Sequence, residues 1–265
     1  MEGNGDCAMY SQQDLENDIR RMGVKNTDLL TVHTSLKAIG KVDDRQKSGA
    51  EVVIDALKNS VSEGLLMVPA HTFRNIRETP CFHIRSTMPC IGTLPGVAVR
   101  LANQAYDTGD KTCIRSMQVS HSVVAFGKEA YDFTACDSTT KTRTPMQGCY
   151  GKLYQEKGKI LLLGVGFETN TYIHMVDEYF DYECHGMQPE KTIWIHATDY
   201  DGTEWEQERL HTVGPASASF PRYEEALKAA GALTYGKVGD ADAIVVDARK
   251  CFDVVLKIRE KEALQ

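Results

Sequence analysis

Long apolar runs are missing from this sequence: no stretch approaches the ~18 consecutive apolar residues that a membrane-spanning helix requires. The opening MEGNGDCAMYSQQDLEND is acidic and polar and has no apolar core of a secretory leader. We therefore expect a cytoplasmic protein. Eight cysteines are present, but none forms a CxxC pair and no spacing repeats. This argues against a disulfide framework or a zinc knuckle and predicts reduced, mostly buried thiols. The HxH and HExxH spacings are missing too, so a metal-dependent hydrolase built on His33, His71, His83 and Asp28 has little support, and no metal site is expected. There is no basic excess. The 37 acidic residues outnumber the 30 lysines and arginines, for a formal charge of −7, which disfavours general nucleic-acid binding and suits a cationic partner. Internal repeats, low-complexity tracts and charge blocks are likewise absent, so residues 1–265 read as one domain.

What is present is enough apolar material for a large core, 42% of the chain, distributed as alternating strand and helix signals. Ser11 to Met22 has helical spacing, with Ser11 as cap. Asp28 to His33 reads as a buried strand, Gly49 to Val61 as an amphipathic helix and LLMVP as the next strand. Ala70 to Pro95 reads as a proline-punctuated binding or lid segment carrying Arg74, Arg77 and Arg85. Gly96 to Ala105 is helical, Val123 to Phe126 a strand, and Thr144 to Lys152 a glycine-rich turn into a helix over KLYQEKG. Strands are expected over 191–197, 202–206 and 243–247, and helices over 223–230 and 248–261. The alternation predicts an α/β sandwich with a mixed central sheet flanked by helices.

The chain is organised around Lys159 to Phe180, KILLLGVGFETNTYIHMVDEYF. A buried strand ends at Gly164 and Gly166, and Thr169, Asn170 and Thr171 offer caps to a following helix. His174 lies three residues before Asp177 and four before Glu178, so one helical face can carry an imidazole beside a carboxylate, the pairing a general base requires. Two further places suit a ligand. His33, Thr34 and Ser35 close the first strand, where open α/β sheets bind ligands, or they only cap the next turn. Ser120, His121 and Ser122 directly precede another strand.

Six stretches taken in order, DLLTVHTSLKAIG, GAEVVIDALKNSVSEGLLMVP, CIGTLP, IRSMQVSHSVVAFG, TPMQGCYGKL and LLLGVGFETNTYIHMVDE, together resemble the aminoglycoside 3-N-acetyltransferase family. The resemblance implies transfer of an acetyl group from acetyl-CoA to an amine of a 2-deoxystreptamine aminoglycoside, without metal. The family's H-x-x-E signature falls on His174 and Asp177, with Glu178 next, and implies that His174 is the base. The HTSL loop (His33, Thr34, Ser35, Leu36), the SHS turn (Ser120, His121, Ser122) and the TPMQGCYGKL turn resemble coenzyme A-contacting segments, with Arg115 or Lys152 near the phosphates by charge. An oxyanion donor is expected near Ser35 or Ser122, and Glu224 is a candidate for the acid brought to the amine. The chain departs from the family at Gln118-Val119, where His-Pro or Asn-Pro is usual, and at Phe82 to Met88, in a loop expected to face the acceptor. Those departures and the three loop arginines leave a different amine, or a non-catalytic binding role, as alternatives.

Overall fold

The computed structural model describes residues 9–43, 45–139, 146–187, 191–211 and 216–265. Ser11 opens α1 (Gln12–Arg21) through a reciprocal capping box with Asp14. Next come β1 (Leu29–Thr34) and α2 (Gly49–Ser60), the latter capped in the same way by Ser48 and Glu51. β2 (Leu65–Pro69), α3 (Asn75–Glu78) and β3 (Cys81–His83) follow. α4 (Leu94–Thr108) starts before the expected Gly96, because Pro95 fits a first helical turn whose N–H groups have no partner anyway. β4 (Cys113–Arg115), β5 (Val123–Phe126) and α5 (Ala130–Thr134) come next. α6 (Cys149–Gln155) begins three residues earlier than read from the sequence, then come β6 (Lys159–Leu163) and α7 (Thr171–Glu178). A π-helical turn over Tyr179–Cys184 leads to β7 (Lys191–Thr198) and β8 (Glu204–His211). The chain ends with α8 (Glu224–Ala229), β9 (Leu233–Val238), β10 (Ala241–Asp247) and α9 (Ala248–Ala263).

Seven strands form a mixed sheet in the order β4-β5-β2-β1-β6-β10-β9. β2, β1 and β6 are parallel at its centre, and β5 and β10 flank them antiparallel. Alternation along these strands splits consecutive residues between two cores. Leu30, Val32, Val68 and Leu161 pack with Val53 and Leu57 of α2 and Val99 of α4. Leu29, Met67, Ile160 and Leu162 pack on the other face with Tyr150 of α6, Tyr172 of α7 and Phe252 of α9. Helices on both faces thus make the α/β sandwich with a mixed sheet that the sequence predicts.

A second sheet, β3-β7-β8, was not foreseen. β3 pairs in parallel with β7, and Phe82, Ile84, Val119, Ile195 and Ala197 form its small core. The segment Phe82 to Met88, expected to face an acceptor, thus contributes Phe82 and Ile84 to this core. β9 was missed as well, since it is an edge strand whose middle residues are exposed and whose centre holds Gly236. Gly164, at φ +66, turns the chain out of β6, and a Cβ there would lie 2.4 Å from that of Ala38. This close approach seats the exit of β6 beside the loop that follows β1.

Candidate functional site

The three parallel strands end on the same side of the sheet, and their C-terminal ends open on a cavity of about 340 Å³. His33 and Thr34 come from the end of β1, and Val68 and Pro69 from the end of β2, with His71 and Phe73 just beyond. His121 enters from the turn before β5, Leu94 and Pro95 from the start of α4, Glu168 and Thr169 from the segment after β6, and Thr171 and His174 from α7. This is the position at which open α/β sheets bind ligands. Four imidazoles and one carboxylate line a predominantly apolar pocket.

The imidazoles are held differently. His33 is buried, its Nε2 makes no hydrogen bond, and burial pushes the ring down to about 4, so it is neutral at physiological pH. The Thr34 hydroxyl is also buried and makes no hydrogen bond. His71 Nε2 lies 2.8 Å from the Tyr150 hydroxyl, and the His71 ring packs 4.5 Å from that of His121. His121 Nδ1 is 2.9 Å from Ser120 Oγ, and Phe73 stacks on the His121 ring. Gln118, one of the departures from the family pattern, explains how this turn is kept in shape. Its side-chain carbonyl accepts the N–H groups of Ser120 at 2.7 Å and His121 at 2.8 Å. Val119 is buried, and its carbonyl accepts the Thr72 hydroxyl at 2.7 Å.

His174 faces the cavity from α7, with its ring edge-on to Phe220 at 4.8 Å. Asp177, one turn on, has Oδ1 3.3 Å from Arg259 Nε of α9, and Arg259 also pairs with Asp181 at 2.9 Å. The last helix therefore fixes the carboxylate end of the motif. Glu178 is buried.

Other candidates lie elsewhere, and some change role. The Ser35 N–H donates to Leu163 O at 2.9 Å, and Leu36 packs against the core; neither lines the cavity. Ser122 Oγ donates to Ala70 O at 2.9 Å and accepts from Arg115 Nε at 3.0 Å. Arg115 itself is buried and spends its other donors on the carbonyls of Ile84, Thr87 and Ala70, which removes it from the phosphate position expected of it. Lys152 donates to Phe133 O at 2.9 Å, outside the cavity. Glu224 accepts a hydrogen bond from the Tyr235 hydroxyl at 2.9 Å on the surface of α8, so it does not meet the cavity either. Of the loop arginines, Arg85 pairs with Asp107 at 2.6 Å, Arg74 and Arg77 are exposed, and none lines the cavity. Two residues that line it, Phe73 and Glu168, were not singled out from the sequence. Glu168 was findable, as the acid that follows the central strand at its ligand-binding end.

Three comparisons bear on this geometry. The family model described as aminoglycoside 3-N-acetyltransferase matches residues 31–260. An aminoglycoside N(3)-acetyltransferase III of Salmonella sp is 45% identical over 273 aligned residues, covering 91% of this chain and 88% of the relative. Among solved structures, AAC-IIIb in binary complex with CoASH superposes with a TM-score of 0.77 at 21% identity, covering 96% of this chain and 98% of that one. AAC-VIa bound to sisomicin superposes at 0.76 with 18% identity, covering 96% and 99%.

Proposed function

Because this chain belongs to the aminoglycoside 3-N-acetyltransferase family, its activity being acetyl transfer from acetyl-CoA to the 3-amino group of 2-deoxystreptamine aminoglycosides, we propose that His174 is the general base of that reaction. The observation that carries this assignment is the placement of His174 in the cavity at the ends of β1, β2 and β6. An aminoglycoside amine arrives as an ammonium and must lose a proton before its nitrogen can attack a thioester carbon, and an imidazole accepts such a proton near neutrality. The attack breaks the carbonyl π bond and places the electron pair on oxygen. Collapse of that oxyanion expels the coenzyme A thiolate, which takes up one proton, and leaves the amide. Asp177, one turn further along α7 and held by Arg259, is assigned the support of the imidazolium that forms.

The oxyanion needs a donor in a site shielded from water. Ser122 is committed to Ala70 and Arg115, and Ser35 does not reach the cavity. We assign the role to His33, a neutral ring whose Nε2 is buried at the cavity without a protein partner. Thr34 and His121 supply the polar edge of the pantetheine path, with Ser120 holding the His121 ring and Ser35, Leu36 and Ser122 supporting it from behind. Glu168 offers a carboxylate to a cationic acceptor, and the placement of Arg74, Arg77 and Arg85 removes the charge objection to one.

The test is free-thiol release from acetyl-CoA against gentamicin-like and neomycin-like acceptors and simpler amines. Release that depends on the aminoglycoside is expected. Silence with all of them, alongside turnover of another amine, would reassign the acceptor. In the same assay His33→Ala should lower kcat by about 10²- to 10³-fold, the usual loss for one oxyanion donor, with the acetyl-CoA KM little changed and partial recovery in His33→Gln. An increase in that KM alone would make His33 a cofactor contact instead.

A further inference from the structure

A second group of chemically capable side chains lies outside the cavity lining. The turn after α5, Ala135–Thr139, meets the first turn of α6 so that Cys136 Sγ and Cys149 Sγ lie 4.0 Å apart. A carboxylate oxygen of Asp137 joins them, and the three ligand atoms all lie within 4.8 Å of one another. Among the described residues this is the one such convergence of metal-ligating groups. Asp137 and Cys149 are buried and Cys136 is half-buried. None of the three lines the cavity at the strand ends.

We propose that Cys136, Asp137 and Cys149 form a binding site for a thiophilic divalent cation of the zinc class. Two thiolates at about 2.3 Å from a tetrahedral zinc ion stand roughly 3.8 Å apart, so the pair needs to close very little. A disulfide, with sulfurs about 2.05 Å apart, would require far more movement. On binding, both thiols lose their protons to solvent and the carboxylate binds ionised. The three negative charges exceed the two of the ion, and the Lys152 ammonium, fixed on Phe133 O and acting electrostatically on Cys136 and Asp137, offsets the third. A water would supply the fourth ligand of a tetrahedral ion. The ion would tie residue 136 to the first residue of α6, directly before Tyr150, whose hydroxyl meets His71 at the cavity. Its role is therefore to brace α6.

The experiment is titration of the reduced, metal-free full chain with Co²⁺, read by absorbance. One equivalent should bind with a thiolate-to-cobalt charge-transfer band, Zn²⁺ should displace it, and the melting temperature should rise on zinc addition. Cys136→Ser and the double variant Cys136→Ser/Cys149→Ser should both lose the band. Should the double variant fail to fold, the half-buried Cys136→Ser alone decides. Absence of the band in the wild type, or its persistence in Cys136→Ser through the remaining cysteines, overturns the proposal.

Discussion

Replacing His174 with alanine is expected to lower kcat by about two to four orders of magnitude while leaving coenzyme A affinity nearly unchanged. The size follows from what a positioned base contributes. Without it the ammonium must give its proton to bulk water before attack, and a single general base is worth about that range. The split between kcat and binding follows from position. His174 enters the cavity from the first turns of α7, whereas the groups assigned to coenzyme A come from the end of β1 and the turn before β5. A purely structural effect is separable, because the ring packs edge-on against Phe220 and its loss leaves a small void there. His174→Gln keeps most of that volume and should fold with a nearly unchanged melting temperature, yet remain as slow as the alanine variant. Near-normal turnover in either variant would sink the assignment.

Local chemistry explains which parts of the molecule were legible in the sequence. β1, β2 and β6 were readable because strands buried on both faces are continuous apolar runs, and α1 and α2 because their apolar residues recur at helical spacing. His174, His33 and His121 could be singled out because each sits beside the end of such a strand or at the start of the helix after it. The second sheet was not legible. It joins Cys81–His83 to residues more than a hundred positions later, and no local pattern encodes that pairing. The same limit hid the Cys136–Asp137–Cys149 convergence, whose two cysteines are 13 apart with no recurring spacing. Charge misled in the case of Arg115. A lone arginine near an anion-binding turn reads as a phosphate contact, whereas its five donors also suit a cluster of carbonyls.

That reversal makes Arg115→Met the most informative stability variant, expected to destabilise the protein by about 3–5 kcal/mol and to lower its melting temperature by roughly 6–20 °C. Arg115 is 1% exposed, and its guanidinium lies 4.9 Å over the Phe82 ring. Burial pulls it down to about 10, which still leaves it charged at neutral pH. A buried cation is tolerable only because its hydrogen bonds replace water. Arg115 donates to Ile84 O and Thr87 O at 2.8 Å, to Ala70 O at 3.3 Å and to Ser122 Oγ at 3.0 Å. Those acceptors belong to the exit of β3, the segment after β2 and the turn carrying His121, so one side chain holds the small sheet against the wall of the cavity. Methionine fills the volume but leaves buried carbonyls unpaired, each costing about 1–3 kcal/mol. Lysine keeps the charge yet cannot reproduce the planar fork, so Arg115→Lys should recover little of the loss. A phosphate-binding arginine would behave in the opposite way, with the acetyl-CoA KM rising and the melting temperature unmoved. Thermal unfolding and acetyl-CoA kinetics on the same two variants therefore separate the roles, and an unchanged melting temperature would return Arg115 to the cofactor.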